Sequence, residues 1–291
     1  MFRRHLVNDL FLSELTFGTM RFKFNNDSDA DELLKQAINL GITTFHTSFE
    51  YETHKYFSDR FVEVKKNYSS IDFQHIVKLG EPHFDSKIFS QARFEKIIDD
   101  QLLALNTERI DIVQWLLRHT PNKDNLRIKV FEDSASLFTE IVLKLKQKGK
   151  IRSIGSHPYS IKFAERISDL EEIESWITYL NVIELEWLKL QTKPFIAIRP
   201  LAAGKLLKNT KIWQFLNKHE FFNSQTKLES LCLYPLLNPN VKSLILSIKN
   251  INNLYSLNDV FSRSYSDLDM FNQITDFLKN EKNIKINEEI D

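Results

Sequence analysis

The chain has 291 residues, with 39 Lys and Arg balanced by 39 Asp and Glu and a single cysteine, Cys232. That length suits one large domain burying roughly three quarters of its unfolded surface, and no Pro/Gly/Ser-rich linker divides the periodic segments. Balanced charge without a one-sign cluster disfavours a nucleic-acid partner. One cysteine excludes an internal disulfide framework and fits a reducing compartment, and nowhere do about eighteen apolar residues run together as a membrane span would need. The expectation is a soluble, cytoplasmic protein without membrane contact.

In chain order, T-F-G-T-M from Thr16 to Met20 reads as a first short strand ending at Gly18. A helix follows, with Asp27 to Asp29 as capping candidates and Leu33, Leu34, Ala37 and Ile38 at helical spacing before Gly41. Strand two runs from Ile42 to about Thr47, and just past its apolar run stand His46, Glu50 and Tyr51, where α/β folds place chemistry. Next come a helix carrying Tyr56, Phe57, Phe61 and Val64, strand three at His75–Leu79 with Lys78 near its end, and a helix from Phe94 to Leu105. Ile110–Leu117 is strand four. The stripe Phe138, Ile141, Val142 and Leu145 marks a helix stopped at Gly149.

Ile151–Gly155 reads as strand five, Ile161–Leu170 as a helix, Tyr179–Glu186 as strand six, Phe195–Ile198 as strand seven and Leu244–Ile248 as strand eight. Helical material spans Ile212–Leu237, and Asp267–Leu278 reads as a terminal helix before a charged tail, 282–291. Eight strands alternating with helices predict a closed parallel (β/α)8 barrel of the TIM type over residues 1–281. One interval departs from this. Only about eight residues, including L-K-L-Q-T-K-P, separate strands six and seven, whereas a parallel crossover usually takes a dozen or more. Either the strand boundary is displaced or the helix there is missing or shortened. A missing helix would leave an apolar strip to be covered by the C-terminal segment or by a second copy in a homo-oligomer.

Several stretches together resemble the aldo-keto reductase superfamily: T-F-G-T-M, G-I-T-T-F-x-T-S-x-x-Y ending at Tyr51, V-K-L-G around Lys78, K-G-K-I-R-S-I-G from Lys148, and A-I-R-P-L-A-A-G-K-L from Ala197. The resemblance implies a barrel that binds a nicotinamide cofactor across its C-terminal mouth and reduces a small carbonyl substrate by hydride transfer. No G-x-G-x-x-G follows any strand, consistent with a cofactor site that is not of the Rossmann kind. The family's catalytic Tyr and Lys match Tyr51 and Lys78. Its aspartate position holds His46, which brings no negative charge. Its histidine position, five residues after Asp111, holds Leu116, with His119 the nearby substitute donor.

The cofactor contacts implied by the resemblance are Gly18 and Thr19; His157, followed by Pro158, where the family commonly has Ser-Asn; Glu184 for the strand-six glutamine; and Ile198 where a ring often stacks on the nicotinamide. Arg199, Pro200 and Leu201 continue that segment. Ser247, Lys249 and Asn250 resemble the adenosine-phosphate end and favour NADPH, with NADH the alternative. His46, His54, His83, His119 and His157 all follow strands, but an H-x-H on strand one and an aspartate on strand eight are both missing, which disfavours a metal hydrolase. Trp115 is either a pocket wall or a packing ring. Two functions follow: an NADPH-dependent carbonyl reductase, or a barrel of that ancestry with impaired turnover serving as a binding or regulatory subunit.

Overall fold

The computed structural model describes residues 2–80, 90–116, 123–190, 192–258, 260–262 and 266–280. The strands are β1 (Arg3–Val7), β2 (Leu10–Ser13), β3 (Leu15–Gly18), β4 (Thr44–Ser48), β5 (Gln74–Leu79), β6 (Ile110–Leu116), β7 (Ile151–His157), β8 (Ile173–Tyr179), β9 (Phe195–Ile198) and β10 (Val241–Ser247). β3 to β10 close into a parallel barrel in chain order, and β1 pairs antiparallel with β2 as a separate hairpin. The helices are α1 (Asp27–Asn39), α2 (His54–Lys65), α3 (Gln91–Ala104), α4 (Asp124–Gln147), α5 (Ile161–Ile167), α6 (Lys205–Lys208), α7 (Thr210–Leu216), α8 (Glu220–Asn223), α9 (Lys227–Leu237), α10 (Ile251–Asn258) and α11 (Leu268–Asn280). The predicted (β/α)8 barrel is therefore the fold.

Alternation along the strands divides the side chains between the barrel axis and the helical shell. Ile76, Ile112, Ile177, Ile196 and Ile245 meet at the axis, where Leu6, Leu10 and Leu12 of the hairpin close the lower end. The opposite parity faces the helices. Phe45 packs against Phe57, Phe61 and Phe73, and Trp115 lies between Phe94 and Phe138, so it is a packing ring. Each such buried side chain contributes roughly 1.5–3 kcal/mol.

Several boundaries differ from those predicted. Asn26, one residue ahead of the capping candidates, caps α1 by accepting from Asp29 N at 2.8 Å. The hairpin was not foreseen, because two short strands ahead of the first periodic segment leave no pattern long enough to read. α4 begins at Asp124, well before its apolar stripe, because its first turns bury Asp124 and Arg127 together with apolar residues. Strand six is Ile173–Tyr179 and not Tyr179–Glu186. The crossover to β9 is accordingly longer than the sequence suggested. It contains a short 3-10 helix, Glu186–Leu190, that buries Trp187, Leu188 and Leu190 in place of a full α-helix.

Candidate active site

Two residues beyond the axial isoleucines, with the same strand parity, stand Lys78 on β5, Gln114 on β6, Tyr179 on β8 and Ile198 on β9. His46 on β4 is in register with Ile76, and Lys78 is in register with both Ser48 and Gln114. These side chains form the floor and walls of the C-terminal mouth. Tyr51 is set beside them by a turn in which its N–H donates to Ser48 O at 3.0 Å, while its own carbonyl accepts from His54 N at 2.9 Å and leads into α2.

Lys78 Nζ lies 5.0 Å from the centre of the Tyr51 ring. Among the described residues it pairs with the Glu50 carboxylate, with Nζ 3.1 Å from Oε2. Lys78 is the more enclosed of the two, 12% exposed against 24% for Glu50. A Cβ placed on Gly80 would fall 1.6 Å from Glu50 Oε1, so the carboxylate occupies space that only a glycine at that position leaves open.

His46 is turned elsewhere. Its Nε2 is 2.6 Å from Gln114 Oε1, its ring is 6.1 Å from that of Tyr51, and it is buried. Burial, opposed by the Gln114 hydrogen bond and reinforced by the Lys78 charge, holds its pKa down to about 4. A neutral imidazole donating from Nε2 to the Gln114 carbonyl oxygen satisfies both groups. The aspartate position is thus filled by an uncharged donor, and the negative charge beside Lys78 comes from four residues further along.

At the neighbouring part of the mouth, Gly18 is in register with both His46 and Ser247, bringing the ends of β3, β4 and β10 together. Thr19 is buried. Its carbonyl accepts from Thr53 Oγ1 at 2.8 Å, and its own Oγ1 has no hydrogen-bond partner among the described residues. Ser247 at the end of β10 and Lys249 and Asn250 beyond it are exposed, and Asn250 Oδ1 accepts from Asn253 N at 2.9 Å as a cap of α10. An orphaned hydroxyl at the mouth and an exposed ammonium beside the start of α10 fit a phosphorylated dinucleotide.

His157 ends β7 in register with Leu116. It is buried, with ring centres 4.3 Å from Tyr159, 5.0 Å from Tyr179 and 6.1 Å from Trp187. Glu184 does not stand on strand six. It lies in the bend after Tyr179, held by Asn181 Nδ2 and 3.7 Å from Arg199 Nη1. The inward residue at the top of strand six is Tyr179, in register with Ile198 and covered by the Arg199 guanidinium 4.7 Å from its ring. Beside Ile198, where the resemblance would place a ring, the aromatic side chain is that of Tyr179 on the adjacent strand. Pro200 and Leu201 start a turn in which Arg199, Ala202, Ala203 and Gly204 all take positive φ.

Below His157, Arg127 is wholly buried. It pairs with Asp124, donates to Pro158 O at 3.0 Å and stacks on Phe163 at 4.1 Å. Glu50 was visible in the sequence beside Tyr51, but nothing in its spacing tied it to Lys78. Tyr179 was lost to the misplaced strand, and neither Gln114 nor Arg127 belongs to a recognisable pattern. His54, at the start of α2, bonds Thr47 through Nδ1 at 3.0 Å. His83 and His119 lie outside the described residues. Among the described residues no group of three His, Cys, Asp or Glu is arranged to hold a metal, and no helix is long and apolar enough to cross a membrane.

A barrel whose C-terminal mouth carries a tyrosine, a lysine and a carboxylate from adjoining strand ends defines a class of carbonyl-reducing oxidoreductases. A model of the aldo/keto reductase family matches residues 14–279, and the chain belongs to that family. Among solved structures, the holo form of the aldo-keto reductase AKR11C1 from Bacillus halodurans is similar over 95% of this chain and 96% of that chain, with 19% identity and a TM-score of 0.74. A putative aldo-keto reductase from Pseudomonas aeruginosa is similar over 89% of this chain and 93% of that chain, with 20% identity and a TM-score of 0.65. No curated protein sequence matches.

Proposed function

We propose that this protein reduces a small aldehyde, ketone or keto-sugar at the expense of NADPH, with Tyr51 as the proton donor. The observation that carries the reading is the Lys78 ammonium 5.0 Å from the Tyr51 ring at the mouth of the barrel. When bound, the reduced nicotinamide supplies the hydride that reaches the carbonyl carbon. Tyr51 gives its phenolic proton to the carbonyl oxygen, and the Lys78 charge stabilises the phenolate left behind. Thr19, Ser247, Lys249 and the start of α10 would hold the nucleotide, and His157, Tyr179 and Ile198 would line the nicotinamide end. The Lys249 ammonium favours the 2′-phosphate of NADPH over NADH.

One observation favours a second reading, a nucleotide-binding barrel with impaired turnover: the family's histidine position is Leu116, so one donor to the substrate oxygen is lost. Losing such a donor costs roughly two to three decades of rate. Fluorescence titration with NADPH, followed by absorbance assays with aldehydes, ketones and keto-sugars, separates the two. Turnover that falls about 100- to 10,000-fold in Tyr51→Phe, with binding kept, supports the reductase. Binding without turnover supports the second reading, and absence of binding at millimolar nucleotide removes both.

A further inference from the structure

We infer that Glu50 is a positioning residue that has taken over the task of the strand-two carboxylate, holding Lys78 charged and in place beside Tyr51. This deepens the proposed reductase reading and rests on it for the role of Tyr51, but the Glu50–Lys78 interaction can be tested without turnover.

Three observations carry it. Glu50 Oε2 is 3.1 Å from Lys78 Nζ, while His46, at the position where the family has its aspartate, spends its Nε2 on Gln114 Oε1 at 2.6 Å and supplies no negative charge. The Glu50 carboxylate lies directly over Gly80, where a Cβ would fall 1.6 Å from Oε1 and 2.5 Å from Oε2, so a side chain there would displace it. The backbone that carries Glu50 is fixed by the same turn that places Tyr51, with Tyr51 N donating to Ser48 O at 3.0 Å and Glu50 N to Ser48 Oγ at 3.3 Å. A shift of the charge from strand to turn leaves the barrel interior to the neutral His46–Gln114 pair. It also puts the carboxylate nearer solvent, so its hold on Lys78 is more sensitive to salt than an ion pair inside the barrel would be.

The experiment is competitive acetylation of the apoprotein over a range of pH, with each lysine followed by mass spectrometry and exposed Lys55 as internal reference. Removing the opposite charge in Glu50→Gln favours the free amine of Lys78. Its labelling curve should move to lower pH and its rate at mild alkaline pH should rise roughly three- to tenfold. Glu50→Asp should restore part of the difference. Gly80→Ala keeps the carboxylate but displaces it, so it should reproduce the Glu50→Gln curve, and the double variant should add nothing to either. The same three variants should move the alkaline limb of kcat/KM in the same direction, a change that mere loosening of the turn would not produce.

Unchanged Lys78 labelling in both Glu50→Gln and Gly80→Ala, with the variants folded by circular dichroism, overturns the inference even if the protein is an active reductase. Shifted labelling in a protein whose Tyr51→Phe variant turns over normally leaves the Glu50–Lys78 pair standing and removes Tyr51 as the acid instead.

Discussion

Arg127 and Asp124 form an ion pair in the interior of the shell, one turn apart on α4, with Arg127 wholly buried and also donating to Pro158 O at 3.0 Å. The pair therefore fastens the start of α4 to the chain that leaves β7 directly after His157. A buried pair returns little net stability, but removing one partner leaves the other charged and without compensation. Arg127→Ala is expected to cost about 3–5 kcal/mol in urea unfolding, and Arg127→Met with Asp124→Leu markedly less. Equal losses in the single and double variants would contradict this account.

Burial dominates at His46 and His75. His46 is held down to about 4 and His75 to about 3, the latter by burial first and then by the Lys65 charge. Both ionise more readily when unfolded, near pH 6.5, so the unfolded chain takes up protons that the folded chain refuses. Their contribution to stability is full above pH 6.5 and is lost as pH falls towards 4 for His46 and towards 3 for His75. Each should add a slope approaching 1.4 kcal/mol per pH unit below pH 6. Urea midpoints of wild type, His46→Gln and His75→Gln between pH 7.5 and 4.5 test this; variants with the wild-type slope would exclude these imidazoles as its source.

Lys249 is exposed next to Asn250, whose side chain caps α10. Under the proposed function it faces the 2′-phosphate. Lys249→Ala should weaken NADPH roughly five- to tenfold and leave NADH almost unchanged, with the NADPH difference shrinking as salt is raised. A parallel loss for both nucleotides would move Lys249 away from the 2′ position.

In the turn after β9, Ala203 is exposed and has φ 58° and ψ 23°. An L-residue in this region costs roughly 1–2 kcal/mol, against which glycine loses about 0.4–1 kcal/mol through its freer unfolded state. Ala203→Gly should thus raise stability by about 0.5–1 kcal/mol, or Tm by about 1–4 °C. A lower Tm would show that neighbouring contacts hold the turn more strongly than its backbone strain opposes it.

The sequence alone pointed to the barrel and the order of its strands, and its family resemblance put Tyr51 and Lys78 forward together. Periodicity reports which face of a strand or helix is buried, and stretches such as V-K-L-G keep their residues at fixed distances along the chain. Its errors fell where that local information is thin. Strand six slid forward because W-I-T-Y-L-N-V-I-E-L-E is apolar and β-branched on both sides of the true end at Tyr179, and the misplacement put Glu184 on a strand that ends at Tyr179.

Tertiary structure decided the rest. His46 faces Gln114 from across an intervening strand, Glu50 reaches Lys78 through the space above Gly80, and Tyr179 stands in register with Ile198. Each of these relations joins residues of different strands, or a strand residue and the turn that follows its neighbour. Their meeting depends on barrel register and on which side chains leave room, and neither quantity is written in the spacing of residues along one strand.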